Sequence, residues 1–199
     1  MNLEGRIDAV VIGASAGGIE ALTVLLPALA AGLRPPVFVV VHLPRDRPSM
    51  LAEIFARKCA VPVREAEDKE PVRAGTVYFA PNNYHLLLDQ GPQLSLSADA
   101  PVNLSRPSVD VLFESAADLY KTRLLGIILT GANDDGASGL AAVHDAGGVT
   151  VVQRPDTARA PMMVLSALKL RPADGVMTLD EIAAMLRTLD VDPLTARAN

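Results

Sequence analysis

A serine, a histidine and a pair of adjacent aspartates each stand where an apolar run ends, and these are the side-chain types from which a nucleophilic active site is assembled. The run Ile7 to Ile12 leads into Gly13-Ala14-Ser15-Ala16-Gly17-Gly18. Read as a dinucleotide-binding fingerprint, this turn fails at its second glycine, because Ser15 stands where bare backbone must approach a pyrophosphate. The following apolar run also ends in His42 rather than in an acidic ribose-binding residue. Read as a G-x-S-x-G nucleophile elbow, the same turn fits. Its glycines allow the tight bend that lifts a hydroxyl out at a helix N-terminus, where free N–H groups stabilise an oxyanion. A serine that only caps the following helix is the alternative.

His42 closes the run Val37 to Val41 and precedes Leu43-Pro44. An imidazole there is a base suited to taking a serine proton near neutral pH, and an ordinary strand-end histidine is the alternative. The third loop is Leu129-Thr130-Gly131-Ala132-Asn133-Asp134-Asp135-Gly136, again strand, glycine-containing turn and helix. A carboxylate at this edge can orient the imidazole and stabilise its cation. One of the two aspartates then carries that role and the other reads as a helix-capping acid. Among the three histidines, His144 lies in a helical stretch and reads as surface, while His85 sits in the turn-rich middle and is a second candidate for the pocket.

The elements that must position these residues follow from the hydrophobic pattern. Strand Ile7 to Ile12, helix Gly18 to Ala31, strand Val37 to Val41 and helix Ser49 to Lys58 alternate. The strand runs are continuously apolar, as in a parallel sheet buried on both faces, so helices must cover both. The pieces Val61 to Glu65, Thr76 to Phe79, His85 to Leu88 and Gln93 to Ser97 are separated by turn signals such as Pro81-Asn82-Asn83 and Asp89-Gln90-Gly91-Pro92. They predict an antiparallel hairpin or edge extension.

Val109, Leu112, Phe113, Ala116, Ala117 and Tyr120 then recur at helical spacing, before a strand from Leu124 to Leu129. An Ala-rich stretch Gly136 to Ala146 and a β-branched run Val149 to Val152 follow. Thr178 with Glu181 forms a capping box opening a helix with Ile182, Met185, Leu186 and Leu189 on one face. Residues 192 to 199 read as a frayed end. The expected fold is α/β: a single doubly wound, mostly parallel sheet with helices on both faces and a β-hairpin extension. One domain is expected over residues 1–199, with its core from about 6 to 190. Ligands of such sheets belong at the carboxyl ends of the strands, where Ser15, His42 and the aspartate pair all fall.

Composition narrows the partners. Half of the 199 residues are apolar, the formal charge is −5, and no Lys/Arg run is present, which counts against nucleic acid or an acidic membrane surface as partner. The single cysteine, Cys59, can form neither an internal disulfide nor a Cys-based metal cluster; it is expected to be a buried small apolar group in a reducing cytoplasm. Met1 to Arg6 is polar and unlike a signal peptide, and no run approaches the ~18 apolar residues of a membrane span, so a cytoplasmic protein without membrane insertion is expected.

Four blocks carry a closer likeness: GASAGG with its strand, VVVHLP, Arg106-Pro107-Ser108-Val109-Asp110-Val111-Leu112-Phe113, and LTGANDDGASGL. In the same order, and across nearly the whole chain, they resemble the catalytic domains of the chemotaxis protein-glutamate methylesterase (CheB) family. The order Ser, His, Asp is that family's and differs from the Ser, Asp, His of ordinary α/β-hydrolases. The resemblance implies Ser15 as nucleophile, His42 as base, Asp135 as orienting acid, the backbone N–H groups of Ala16 and Ala132 as oxyanion hole, and neither metal nor cofactor.

It further implies hydrolysis of glutamate methyl esters on the cytoplasmic domain of a methylated chemoreceptor, and deamidation of receptor glutamines through the same acyl-enzyme. The same chemistry on another methylated signalling protein, an inert binding module of this fold, and a nucleotide-binding α/β domain are the rival readings. The family's threonine after the serine is Ala16 here, its Met-Gly pair is Ala132-Asn133, and its Gly-Met-Pro block survives as Ala160-Pro161-Met162; all three bear on substrate fit. A stand-alone form is expected, without a receiver domain and its phosphorylation control.

Overall fold

The computed structural model describes residues 3–44 and 49–192; the frayed end expected after residue 192 lies almost wholly outside them. The first strand, β1 (Ala9–Ala14), is buried along its whole length and gives way to α1 (Gly18–Leu25) and then to β2 (Val37–Val41). α1 stops short of the expected Ala31 because Pro27 follows, and a prolyl ring supplies no N–H to continue the ladder; the chain tightens there into a single 3-10 turn, Leu26–Ala28. After α2 (Leu51–Ala56) come β3 (Val63–Glu65), β4 (Val77–Phe79), β5 (His85–Asp89) and β6 (Gln93–Ser97). The rest of the described chain is α3 (Val109–Tyr120), β7 (Leu124–Ile128), α4 (Ala137–Asp145), β8 (Val149–Gln153), α5 (Met162–Leu170), β9 (Gly175–Met177) and α6 (Leu179–Leu186).

Seven strands form one sheet in the order β3-β4-β2-β1-β7-β8-β9. Every pairing in it is parallel, so the expected antiparallel character is confined to the separate β5-β6 hairpin. β3 and β4 are therefore not part of a hairpin: they extend the parallel sheet at its edge. The chain leaves β1 toward β2 and later returns to β1's other side with β7. That makes the β1/β7 boundary the switch point beside which such sheets open a crevice.

Alternate residues of each strand feed opposite faces. Val10, Ile12 and Ala14 of β1 pack with Leu22, Leu25, Phe55, Ile182 and Leu186 under α1, α2 and α6. Ala9 and Val11 pack with Val109, Leu112, Phe113, Leu140, Val143 and Val164 under α3, α4 and α5. The hairpin joins this second layer through Leu86, Leu88 and Leu94. The Thr178/Glu181 capping box forms as expected, with both reciprocal bonds present at the start of α6. α5 and β9 were not legible as elements: α5 begins after Pro161 with no side-chain cap, and β9 is only three residues long. Cys59 is half-buried against the α1/α2/α6 layer rather than fully enclosed, and burial pushes its thiol up to about 11.

Candidate active site

The strand register itself brings the three loops together. Ala14 pairs with Val41, so Ser15 and His42 are the next residues out of neighbouring strands, tied by the His42 amide on the Ala14 carbonyl at 3.2 Å. On the other side, the Ser15 amide donates to the Thr130 carbonyl at 2.9 Å and the Leu129 amide to Gly13 at 2.9 Å. Ser15 is thus seated between the strand that ends in His42 and the loop that carries Asp135. It leaves β1 through Gly17, whose φ of 82° lies in the left-handed region that glycine enters freely. α1 starts only at Gly18, with Gly17 at its N-cap and no side-chain cap bond, so the helix-capping reading of Ser15 falls away. Among the described residues its hydroxyl has no hydrogen-bond partner.

His42 Nε2 and Asp135 Oδ2 are 2.8 Å apart. With Asp135 ionised, that distance places the ring proton on Nε2 and leaves the lone pair of the neutral ring on Nδ1. Asp135 is enclosed, at 1% exposure. Its carboxylate also accepts from Ser108 Oγ at 2.7 Å, from the amides of Val109 at 2.7 Å and Asp110 at 3.2 Å, and from Asn103 Nδ2 at 3.3 Å. Burial works to raise this carboxyl's pKa, but the hydrogen bonds from His42, Val109 and Ser108 outweigh it and hold the group below its ordinary value. Asp134, its neighbour, is exposed and does not cap α4, whose N-cap is Gly136 without a side-chain bond.

Sequence reading gave no role to Ser108, Asp110 or Asn103, although the first two lie in a block it singled out. Ser108 sits at the N-cap of α3 yet spends its hydroxyl on Asp135 instead of on its own helix. Asp110, 4% exposed, accepts from the amides of Gly136 at 2.9 Å and Gly139 at 2.6 Å and from Asn103 Nδ2 at 2.7 Å. Burial and then the charge of Asp135 push its carboxyl up, against those hydrogen bonds. The signal that could have found it is a carboxylate at the second position of an otherwise apolar helix start.

His85 does not line the cleft. It is 2% exposed, accepts the Ser108 amide on Nδ1 at 3.2 Å and holds Nε2 against the Ala100 carbonyl at 3.2 Å, so it braces the loop that carries Ser108. His144 is at the surface, beside Asp145, as expected. The amides of Ala16 and Ala132 lie at exposed residues and find no acceptor among the described residues, so both are unspent. A small cavity of about 150 Å³ beside His42 is bounded by Leu43, Leu104, Ser105, Arg106 and Pro107. No helix among the described residues is long and apolar enough to cross a membrane.

Residues 10–186 match the family model described as CheB methylesterase. The chain belongs to the CheB methylesterase family. A Leptospira interrogans relative named "Putative protein-glutamate methylesterase/protein-glutamine glutaminase" is 43% identical over 190 residues, covering 96% of this chain and 98% of its own. Protein-glutamate methylesterase/protein-glutamine glutaminase 2 of Anaeromyxobacter dehalogenans is 42% identical over 92% of this chain but only 54% of its own length. The crystal structure of the Thermotoga maritima CheB methylesterase catalytic domain superposes with a TM-score of 0.86 at 33% identity, over 91% of this chain and 97% of that one. The seven-stranded parallel sheet with its small hairpin is therefore the CheB catalytic-domain fold.

Proposed function

We propose that this chain is a serine esterase that hydrolyses glutamate methyl esters on the cytoplasmic domain of a methylated chemoreceptor, and that it deamidates receptor glutamines by the same route. The observation that carries the reading is the meeting of Ser15, His42 and Asp135 at adjoining strand ends, with His42 Nε2 on Asp135 at 2.8 Å. The names of its relatives in Leptospira and Anaeromyxobacter pair the same two reactions.

The tautomer fixed by Asp135 makes Nδ1 the general base. Ser15 Oγ attacks the ester carbonyl as its proton passes to Nδ1, and the developing oxyanion is met by the free amides of Ala16 and Ala132. Methoxide leaves with the proton from the imidazolium, giving methanol and a glutamyl-enzyme. Water then attacks the acyl carbon with His42 again as base, and the proton returns to Ser15. With a glutamine substrate, ammonia replaces methanol as the leaving group and the second half is unchanged. Asp135 remains an anion throughout and stabilises the transient cation.

Labelling with a fluorophosphonate tests the reading: covalent modification should map to Ser15 and should vanish in Ser15→Ala. A properly folded chain that takes no label at Ser15 would instead be an inert module or a nucleotide-binding domain of this fold.

A further inference from the structure

We propose that Asn133 holds the water that attacks the glutamyl-enzyme, so that it acts in the second half of the reaction and not in the first. The inference rests on the serine-esterase reading above and gives a role to a side chain that the reading does not use. Asn133 Nδ2 lies 3.4 Å from His42 Nδ1, the nitrogen that must take a proton from Ser15 and later from water. The same Nδ2 lies 3.4 Å from Ser105 Oγ, on the wall of the cavity beside His42. Both separations sit at the long end for a hydrogen bond, whose usual length is about 2.9–3.0 Å, so neither partner engages the amide fully. Its Oδ1 is buried and has no partner at all.

A buried polar atom left unsatisfied is costly and calls for a reason. Here the orphaned Oδ1 belongs to an amide whose Nδ2, held only by two long contacts, faces the base, where a nucleophilic water would stand. A water there can donate one proton toward Nδ1 while accepting from Nδ2, which aims its lone pair at the acyl carbon on Ser15. The atoms balance without another reactant. Water loses a proton to Nδ1, its oxygen bonds to the acyl carbon, the bond from that carbon to Ser15 Oγ breaks, and the imidazolium returns the proton to Oγ. In the first half-reaction the proton donor is Ser15 itself, which is fixed by β1 and needs no help from Asn133.

The test separates the two halves with p-nitrophenyl butyrate, following the burst of p-nitrophenolate for acylation and the steady phase for deacylation, with the butyryl adduct read by mass spectrometry. Asn133→Ala should keep the burst rate within threefold, slow the steady phase at least tenfold, lower KM together with kcat, and accumulate the adduct on Ser15. Hydroxylamine, a nucleophile that needs no positioned base, should restore release to within threefold of the wild type. The variant's melting temperature should not fall, since the change removes an unsatisfied oxygen. An equal loss in both phases, or none in either, overturns the inference while leaving the esterase reading standing. Failure of the wild-type chain to hydrolyse the ester, with no adduct in either protein, overturns both.

Discussion

Asp110 and Asp135 cap each other's helices. Asp135, on the loop before α4, accepts from the amides of Val109 and Asp110 at the start of α3, while Asp110, in the first turn of α3, accepts from the amides of Gly136 and Gly139 at the start of α4. Asn103 Nδ2 bridges both carboxylates, at 2.7 Å from Asp110 and 3.3 Å from Asp135. The carboxylate that contacts His42 is therefore also a structural cap. Its position is set by a second carboxylate that never reaches the cleft.

The exchange predicts opposite effects on the pH dependence of stability. Asp135 has a lowered folded pKa, so the stability it contributes is present above its ordinary value of 3.8 and is lost as the pH falls through the folded one. Asp110 has a raised folded pKa, so its contribution is present below 3.8 and is lost as the pH rises through the folded one. Urea unfolding between pH 3 and 6 should show a shallower acid loss for Asp135→Asn and a steeper one for Asp110→Asn than for the wild type. Parallel profiles for the three proteins would contradict the assignment.

Adjacent acids should part in activity. Asp135→Asn removes the charge that fixes the imidazole and turns an amide N–H toward donors at Ser108 and Val109, so turnover should drop on the order of a hundredfold or more and the melting temperature should fall. Asp134 is exposed, and Asp134→Asn should change turnover by less than about threefold with no change in melting temperature. Turnover and melting curves for both variants decide the register across the loop.

The candidate site was legible to the extent that its signals are local. Glycine turns after apolar runs gave the strand-turn-helix loops of Ser15 and Asp135, and His42 was marked by closing the run Val37 to Val41, because such loops are set by backbone geometry written in neighbouring residues. What escaped was long-range. Ser108 before an apolar helix reads as that helix's own cap, and only the folded chain shows its hydroxyl on Asp135, 27 residues away. His85 looked like a pocket residue because the hairpin's turns are plain in the sequence while its packing beneath the Ser108 loop is not. β3 and β4 resemble hairpin strands, since three-residue pieces carry no sign of which neighbour they will join.

Gly131 should tolerate no side chain. A Cβ there would meet Met163 Sδ at 1.9 Å and Ser15 Cβ at 3.0 Å. Gly131→Ala should lower both stability and turnover. Adding Met163→Ala frees the methionine's volume and should recover much of the melting temperature while turnover stays at least tenfold down, because the crowding at Ser15 remains. Full recovery of turnover in the double variant would show that Ser15 is not displaced.

His42→Gln should remove most of the rate, since Ser15 then lacks the base that takes its proton. His85→Gln should keep the rate and lose stability instead, by about 1–3 kcal/mol for the Ser108 amide left without its acceptor. Near wild-type turnover in a folded His42→Gln chain would transfer the base to another group.

The central claim is that Ser15 performs ester hydrolysis, and its most direct measurement is methanol release from a methylated receptor cytoplasmic domain by the wild-type chain and by Ser15→Ala. Ser15 makes no capping bond at α1, so the variant should fold with an unchanged melting temperature while methanol release falls by several orders of magnitude. Release at near wild-type rate from folded Ser15→Ala would contradict the account.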